Sequence, residues 1–208
     1  MAGLAPQQIA AAAVIMQRCP TLVAVEDALD ALASSFSGLE RESLLLKVAA
    51  VAQLLGGPSY PALHLAAHAA ATLAARPWDY DTVERLAAVP QPARAQRRIA
   101  FASRFAHFFL DPRRFPAIDG HVLRGLAAVV PPRLAMATPY ASIAERVELQ
   151  RAGQSPQPAL RAVQHALGLL GQALALEAPG NRPVPRIHDE VRTALAERSL
   201  CEALLGAR

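Results

Sequence analysis

The segment Phe101–Leu126 reads FASRFAHFFLDPRRFPAIDGHVLRGL, and its pattern is the most informative in this chain of 208 residues. Phenylalanines at positions 101, 105 and 108 have a helical spacing, which predicts one buried face of a helix. A loop follows and ends with Phe115–Ile118, and Asp119 then precedes a second apolar run. Because aspartate is a preferred helix N-cap, the segment predicts a helix, a loop and a second helix that begins after Asp119.

The rest of the chain has the same helical periodicity, and no segment alternates apolar and polar residues as a half-buried strand would. Hydrophobic residues make up 53% of the chain and charged residues only 18%, so a large core is available. Proline stands at most junctions between apolar runs, which favours many short helices. We therefore expect an all-α fold, a compact orthogonal array of helices in one domain, 1–208, which could divide into lobes 1–90 and 91–208. The expected helices span about 6–17, 21–36, 39–55, 60–75, 81–88, 119–129, 139–152, 158–176 and 187–205, and a helix or hairpin is expected at about 93–110. Thr21 is a candidate cap of the second helix, and Asp79 or Asp81 is the candidate cap of 81–88.

The positive charge of the chain is concentrated around the opening segment. The net charge is +4, and residues 91–133 alone hold eight arginines against Asp111 and Asp119, a local balance of +6. Such a patch is typical of a surface that faces phosphate groups. A solvated helix face is the alternative, because arginine outnumbers lysine 20 to 1 along the whole chain.

Several residue types point to no cofactor. The cysteines Cys19 and Cys201 have neither zinc-type spacing nor partners for a disulfide framework, and we expect reduced, partly buried thiols in a cytoplasmic protein. His64 and His68 lie four residues apart without a third ligand, so an ordinary helix face is favoured over a metal site. Lys47 interrupts an apolar run, and we expect its ammonium group to extend to the surface. No apolar run approaches ~20 residues, which argues against a membrane span.

The opening segment resembles the active-site region of the helix-hairpin-helix DNA glycosylases, in particular the branch that contains the 8-oxoguanine glycosylases. Phe115–Val122, FPAIDGHV, is similar to the family element Val-Pro-Val-Asp-x-His-Val, and Ala102–His107 stands at the position of the DNA-binding hairpin. The resemblance covers about 26 of the 208 residues. It implies a two-lobed helical fold and excision of a damaged or modified base that is flipped out of DNA, without a metal or organic cofactor.

Two residues would carry catalysis according to this resemblance. Asp119 would be the carboxylate that stabilises an oxocarbenium-like transition state or activates a water molecule. A purely structural N-cap is the alternative for Asp119, and the two roles are compatible. Arg104 stands where members with lyase activity have lysine, and a guanidinium does not form a Schiff base. The implied enzyme is therefore a glycosylase without lyase activity, in which Arg104 binds phosphate or stabilises the leaving base.

The same resemblance, together with the charge pattern, indicates which residues contact DNA. Ser103 and Arg104 are expected at the tip of the hairpin, where backbone N–H groups hold a phosphate. His121 corresponds to a family histidine that contacts phosphate, with a partly buried histidine as the alternative. In a regular helix, Arg97, Arg104 and His107 would form a basic face opposite the phenylalanines. The full set of expected DNA contacts is Ser103, Arg104, His107, Arg113, Arg114, His121, Arg124 and Arg97.

Other interpretations stay open. The segment Trp78–Asp81 is expected to be an aromatic anchor with a helix cap, with a cleft lining as the alternative. Ala100 and Ala102 stand where the hairpin would need glycine, which favours a catalytically inactive DNA-binding or regulatory module of the same fold. A helical protein-interaction domain that binds no nucleic acid is the third class of function.

Overall fold

The expected all-α fold is confirmed in the part of the chain that the structure, a computed structural model, describes. Those residues are 3–55, 61–90, 97–131, 134–177 and 186–206, and they form eleven helices and no strand. The helices are α1 (Pro6–Gln17), α2 (Pro20–Ser35), α3 (Arg41–Leu54), α4 (Ala62–Leu73), α5 (Tyr80–Ala87), α6 (Ile99–Phe109), α7 (Gly120–Val129), α8 (Tyr140–Ala152), α9 (Leu160–Glu177), α10 (Asp189–Leu195) and α11 (Arg198–Leu205).

The helices belong to two compact units. The first, here called the terminal unit, comprises Met1–Val23, Ile118–Thr138 and Ser142–Arg208, and the second, the central unit, comprises Ala24–Ala117 and Pro139–Ala141. This division differs from the expected lobes 1–90 and 91–208, because α1 packs against α9 and α11 and so joins the C-terminal helices. Pairing between segments so distant in the chain leaves no mark on the local hydrophobic pattern.

In the terminal unit, α7 and α9 approach each other closely through glycine. A Cβ atom added to Gly171 would lie 1.9 Å from the carbonyl oxygen of His121, and one added to Gly125 would lie 1.9 Å from the carbonyl oxygen of Leu167. Both obstacles are backbone atoms, which cannot rotate away as a side chain can. Glycine at these two positions is therefore what allows α7 to lie against α9.

In the central unit, α6 supplies the predicted apolar stripe and packs against α3 and α5. Phe101, Phe105 and Phe108 are all buried, as their spacing predicted. The ring centroids of Phe105 and Phe109 are 5.3 Å apart, and those of Phe101 and Phe105 are 6.2 Å apart. The aromatic residues of α6 thus form part of the core of this unit.

Lys47 corrects one expectation from the sequence, because its side chain is only 1% exposed rather than at the surface. Its Nζ donates a hydrogen bond to the carbonyl oxygen of Gly38 at 2.6 Å and lies 5.4 Å from the centroid of the Phe109 ring. Burial lowers the pKa of Lys47, although the nearby charge of Glu40 acts in the opposite direction. The hydrogen bond to this carbonyl is what makes the interior position tolerable for an ammonium group.

Three expected elements also differ from the predictions in their bounds. The element expected at 93–110 is the helix α6, which begins at Ile99, and residues 93–96 lie outside the described residues. The expected helix 187–205 is interrupted, since α10 ends at Leu195 and α11 begins at Arg198. Glu197 at this break forms an ion pair with Arg18, which directly follows α1. Helix α2 begins at Pro20, and the backbone N–H of Thr21 donates to the Glu190 carboxylate at 3.1 Å, so α10 supplies the capping oxygen that Thr21 was expected to supply.

Cys19 and Cys201 are both free thiols, and burial raises the pKa of each.

Among the helices described, none is by itself long and apolar enough to cross a membrane. Helices α1 and α2 meet a test of length and composition only when they are taken together as a bent pair.

Candidate active-site segment

Asp119 is the N-cap of α7, as its position in the sequence predicted. Its backbone is extended, with φ −137° and ψ −175°, and its Oδ1 accepts hydrogen bonds from the backbone N–H groups of His121 and Val122, each at 2.9 Å. The partial positive charge at the start of a helix favours a carboxylate there. Asp119 is partly exposed, so its carboxylate, which these hydrogen bonds hold in place, remains accessible to solvent.

His121, two residues further on, is only 6% exposed. Neither of its ring nitrogens has a hydrogen-bond partner among the residues that the structure describes. A buried polar group without a partner costs about 1–3 kcal/mol, and such groups are rare enough that each requires an explanation. One recognised explanation is a catalytic or binding role.

Arg124 lies one helical turn after His121 on α7. It is partly exposed overall, but its Nη1 atom is buried and has no partner in the described parts of the chain. Residues three apart lie on the same face of a helix. On this face of α7, the His121 ring and the Arg124 Nη1 atom are therefore buried polar groups that form no hydrogen bond with the described residues.

The hairpin expected at Ala102–His107 is not present, and that prediction was wrong. α6 is a continuous α-helix from Ile99 to Phe109, with Ser103 and Arg104 in its middle. Backbone N–H groups in the interior of a helix bond to carbonyl oxygens of the preceding turn and are not available to hold a phosphate. Ser103 is fully buried, and its Oγ donates to the carbonyl oxygen of Ala100. Alanines at 100 and 102 explain the difference, because alanine favours helix where glycine would permit a turn.

Two arginines of the expected basic face have partners within the central unit. Nη1 of Arg104 donates to the carbonyl oxygen of Leu55 at 2.8 Å. Arg97 forms a two-pronged contact with Glu84, from Nε to Oε2 at 2.8 Å and from Nη2 to Oε1 at 2.5 Å. Burial raises the pKa of Glu84, but the hydrogen bonds from Arg97 and from the backbone N–H of Tyr140, with the charge of Arg97, lower it overall.

The third member of that expected face, His107, is buried rather than exposed. It is 1% exposed, and its Nδ1 lies 2.9 Å from the carbonyl oxygen of Phe115. The next carbonyl, that of Pro116, accepts a hydrogen bond from the hydroxyl of Tyr140 at 2.8 Å. These two buried side chains hold the end of the loop that leads to Asp119.

Tyr140 is a residue that sequence reasoning missed. It is fully buried, and burial, with a smaller contribution from Tyr80, raises its pKa well above the ordinary value. Its ring packs edge-to-face on that of Tyr80, with centroids 5.7 Å apart. No local pattern could have indicated this role, because Tyr140 and Pro116 are separated by 24 positions in the chain.

Arg113 and Arg114 remain exposed in the loop between α6 and Asp119. The backbone N–H of Arg113 donates to Oδ1 of Asp111 at 2.8 Å. The guanidinium of Arg114 lies 5.5 Å from the centroid of the Phe115 ring. Of the arginines expected to contact DNA in the central unit, these two have the most accessible side chains.

Trp78–Asp81 shows both of the features that the sequence left as alternatives. Asp79 caps α5, with Oδ1 accepting from the backbone N–H of Thr82 at 2.9 Å. Trp78 also lines a pocket of about 550 Å³ in the central unit, together with Phe115.

The residues expected at the site are divided between the two units. Asp119, His121 and Arg124 share the first turns of α7 in the terminal unit. The remaining expected residues belong to the central unit, and they are Arg97, Ser103, Arg104, His107, Arg113 and Arg114.

The described residues contain no group of three or more histidine, cysteine or acidic side chains that could hold a metal ion. His64 and His68 instead contact carbonyl oxygens, those of Pro90 at 3.3 Å and Arg85 at 2.9 Å. Comparisons of the chain with known protein families, with curated proteins and with solved structures found no match.

Proposed function

We propose that this protein is a monofunctional DNA glycosylase that removes a damaged or modified base, with Asp119 as the catalytic carboxylate. The observation that carries the proposal is the start of α7. There, two backbone N–H groups hold the carboxylate of Asp119. His121, two residues further on, is buried, and its ring nitrogens have no partner in the described structure. In this proposal, the terminal and central units correspond to the two lobes of a glycosylase-like fold.

The chemistry requires a fixed negative charge beside the sugar. As the bond between C1′ and the base nitrogen breaks, the base leaves with the electron pair and positive charge develops on the sugar ring. The Asp119 carboxylate would stabilise that charge, and it would accept a proton from the water molecule that attacks C1′. The backbone hydrogen bonds at Oδ1 fix the carboxylate before the substrate arrives, so little reorganisation is needed.

The proposed enzyme has no lyase step that depends on lysine. A lyase uses an amine that attacks C1′ and forms a Schiff base, which a guanidinium does not do. Position 104 is arginine, and the single lysine of the chain, Lys47, is buried with its Nζ bonded to Gly38. Strand cleavage should therefore require alkali after the base is released.

Phosphate contacts are assigned to the accessible arginines. Arg113 and Arg114 are exposed, and a guanidinium binds phosphate through paired N–H donors. His121 is too deeply buried to meet a phosphate at the surface in this conformation, so we assign it to the neighbourhood of Asp119 instead. Ser103 and His107, both buried in α6, are assigned to packing and to the loop.

The test is release of a base from duplex and single-stranded oligonucleotides that contain a panel of damaged and modified bases. Asp119→Asn is the informative variant, because asparagine is also a good N-cap and only the charge is removed. We expect base release to fall by roughly 100-fold or more. Asp79→Asn is the matched control, since it makes the same change at the N-cap of α5 and should leave release unchanged.

The outcomes separate the three classes of function. Alkali-dependent cleavage with the natural protein and its loss in Asp119→Asn would support the enzyme. Salt-sensitive DNA binding without base release would instead indicate a catalytically inactive DNA-binding module. Absence of both release and binding would leave the helical protein-interaction domain.

A further inference from the structure

A second site candidate lies entirely within the central unit. The pocket of about 550 Å³ is formed where the segment before α5 meets the loop after α6, and its lining includes Arg76, Trp78, Asp111, Arg114 and Phe115. Pockets of about 300–1,000 Å³ are the usual size for small-molecule ligands. Asp119 belongs to the terminal unit and does not line this pocket, which shares only Arg114 with the residues of the proposed glycosylase.

One wall of the pocket is aromatic and is held in place. The indole Nε1 of Trp78 donates a hydrogen bond to the carbonyl oxygen of Leu73 at 3.3 Å, which fixes the orientation of the ring. Phe115 is buried and packs edge-to-face on Tyr80, with centroids 6.1 Å apart. Because the Trp78 ring is partly exposed and already ordered, a planar ligand would stack on it with little loss of side-chain entropy, while the buried Phe115 supports the pocket from below.

The charged groups of the lining favour an anion. The guanidinium of Arg76 lies 4.2 Å from the centroid of the Trp78 ring, and that of Arg114 lies 5.5 Å from that of Phe115. Both arginines are exposed, and neither has an ion pair with a carboxylate in the described structure. The acidic member, Asp111, uses its Oδ1 to accept the backbone N–H of Arg113. Two unpaired guanidinium groups beside one engaged carboxylate give the pocket a net positive charge.

We propose that this pocket binds a nucleotide, with the base against the aromatic wall and the phosphate at Arg76 and Arg114. Guanidinium groups bind phosphate through paired N–H donors, and aromatic side chains stack on any base. A base joined to a phosphate could come from either of two ligands, a free mononucleotide or one nucleotide of a single DNA strand, and competition between the two distinguishes them.

Trp78 makes the test direct, because it is the only tryptophan in the chain. The full-length protein is titrated with AMP, adenosine and inorganic phosphate at constant ionic strength, and the tryptophan emission is recorded. We expect saturable quenching by AMP, with adenosine and phosphate each at least about tenfold weaker. Isothermal titration calorimetry provides the same comparison without relying on the emission of Trp78, which Arg76 contacts.

The variants are Arg76→Gln and Arg114→Gln, each of which should weaken AMP binding by about tenfold. Arg41→Gln, an exposed arginine on α3 of the same unit, is the matched control and should leave it unchanged. The proposal would be overturned if AMP showed no saturable binding, or if adenosine or phosphate bound as tightly as AMP. It would also be overturned if Arg41→Gln weakened AMP binding as much as Arg76→Gln and Arg114→Gln do.

A single-stranded oligonucleotide identifies the source of the ligand. If it displaces AMP and binds more tightly, the pocket takes a nucleotide of a strand; if AMP binds without such displacement, it takes a free nucleotide, and both results support the proposal. Asp119→Asn should bind AMP normally. Binding of AMP without release of any base would therefore contradict only the glycosylase proposal. Release of a base without binding of AMP would contradict only the nucleotide pocket.

Discussion

Asp79 and Asp119 cap two helices with nearly the same backbone conformation but in different surroundings. Asp79 has φ −135° and ψ −172°, against −137° and −175° for Asp119. Oδ1 of Asp79 accepts the backbone N–H of Thr82, and Oδ1 of Asp119 accepts those of His121 and Val122. At α5, the Oδ1 also accepts the hydroxyl of Thr82, whose Oγ1 in turn accepts the N–H of Asp79. At α7, Val122 occupies the equivalent position and has no such group.

Two aspartate caps with the same backbone geometry therefore differ in the residues around them. The α5 cap is completed by its own residues, Asp79 and Thr82, in a reciprocal capping box. The α7 cap is followed by residues that face another helix, since Val122 lies against Gly168 and the carbonyl of His121 against Gly171. What distinguishes Asp119 is the buried, unpartnered His121 beside it in the described structure, not its hydrogen bonds to the backbone.

The largest expected effect would come from separating α7 from α9. Gly171→Ala places a Cβ 1.9 Å from the carbonyl oxygen of His121, so the helices must move apart, and we expect the free energy of unfolding to fall by about 3 kcal/mol. Gly168→Ala on the same helix meets Val122 Cγ2 only at 3.7 Å and should change stability by no more than about 1 kcal/mol, with helix propensity favouring alanine. Urea unfolding followed by circular dichroism measures both, and equal losses would contradict the role assigned to the close approach.

The loop that leads to the α7 cap offers the next test, because the Tyr140 hydroxyl holds the carbonyl of Pro116, three residues before Asp119. Tyr140→Phe removes the hydroxyl that donates to the carbonyl of Pro116, leaving a buried acceptor without that bond. We expect the free energy of unfolding to fall by about 1–2 kcal/mol. Thermal unfolding at matched protein concentration measures the change, and an unchanged midpoint would show that the hydroxyl contributes nothing to the loop.

The caps themselves can be compared directly. Asp79→Ala and Asp119→Ala each remove an acceptor of backbone N–H groups and should each lower the free energy of unfolding by about 1 kcal/mol. Asp79→Ala should cost more, because the Thr82 hydroxyl loses its partner as well. The corresponding asparagine variants keep an acceptor and should cost only a few tenths of a kcal/mol. Chemical denaturation measures both losses. If Asp119→Ala lost more free energy of unfolding than Asp79→Ala, the capping box would add no stability.

The smallest expected effect is on the pH dependence of stability. Hydrogen bonds from the side chain and backbone of Thr82 lower the pKa of Asp79 below its ordinary value of 3.8. A carboxyl with a lowered pKa in the folded state stabilises the protein above its ordinary value, and that contribution is lost as the pH falls through the folded-state value. Asp79→Asn should therefore lose less stability than the natural protein on acidification below about pH 4. The effect is small because Asp79 is exposed and solvent screens it, and parallel acid limbs in the two proteins would contradict it.

The candidate site could be predicted only in its local parts. The N-cap role of Asp119 follows from the residue type and the apolar run after it, and the structure confirms it. The hairpin prediction failed because it relied on position relative to Asp119, whereas the alanines and phenylalanines of α6 favour a continuous helix. The burial of Lys47 was also missed, because its acceptor, the carbonyl of Gly38, lies outside the helix that contains it.

The sequence by itself determined the all-helical class, most helix ends, the buried stripe of α6 and the Asp119 cap of α7, and it narrowed the cap of α5 to Asp79 or Asp81. These features depend on interactions within a few residues of each other, such as helical periodicity, capping and proline breaks. Only the tertiary structure decided that α1 joins the C-terminal helices, that Gly171 lies against His121, and that Tyr140 holds the loop before Asp119. The physical reason is that each of these contacts joins residues far apart in the chain, and their strength depends on packing and burial that no local pattern encodes.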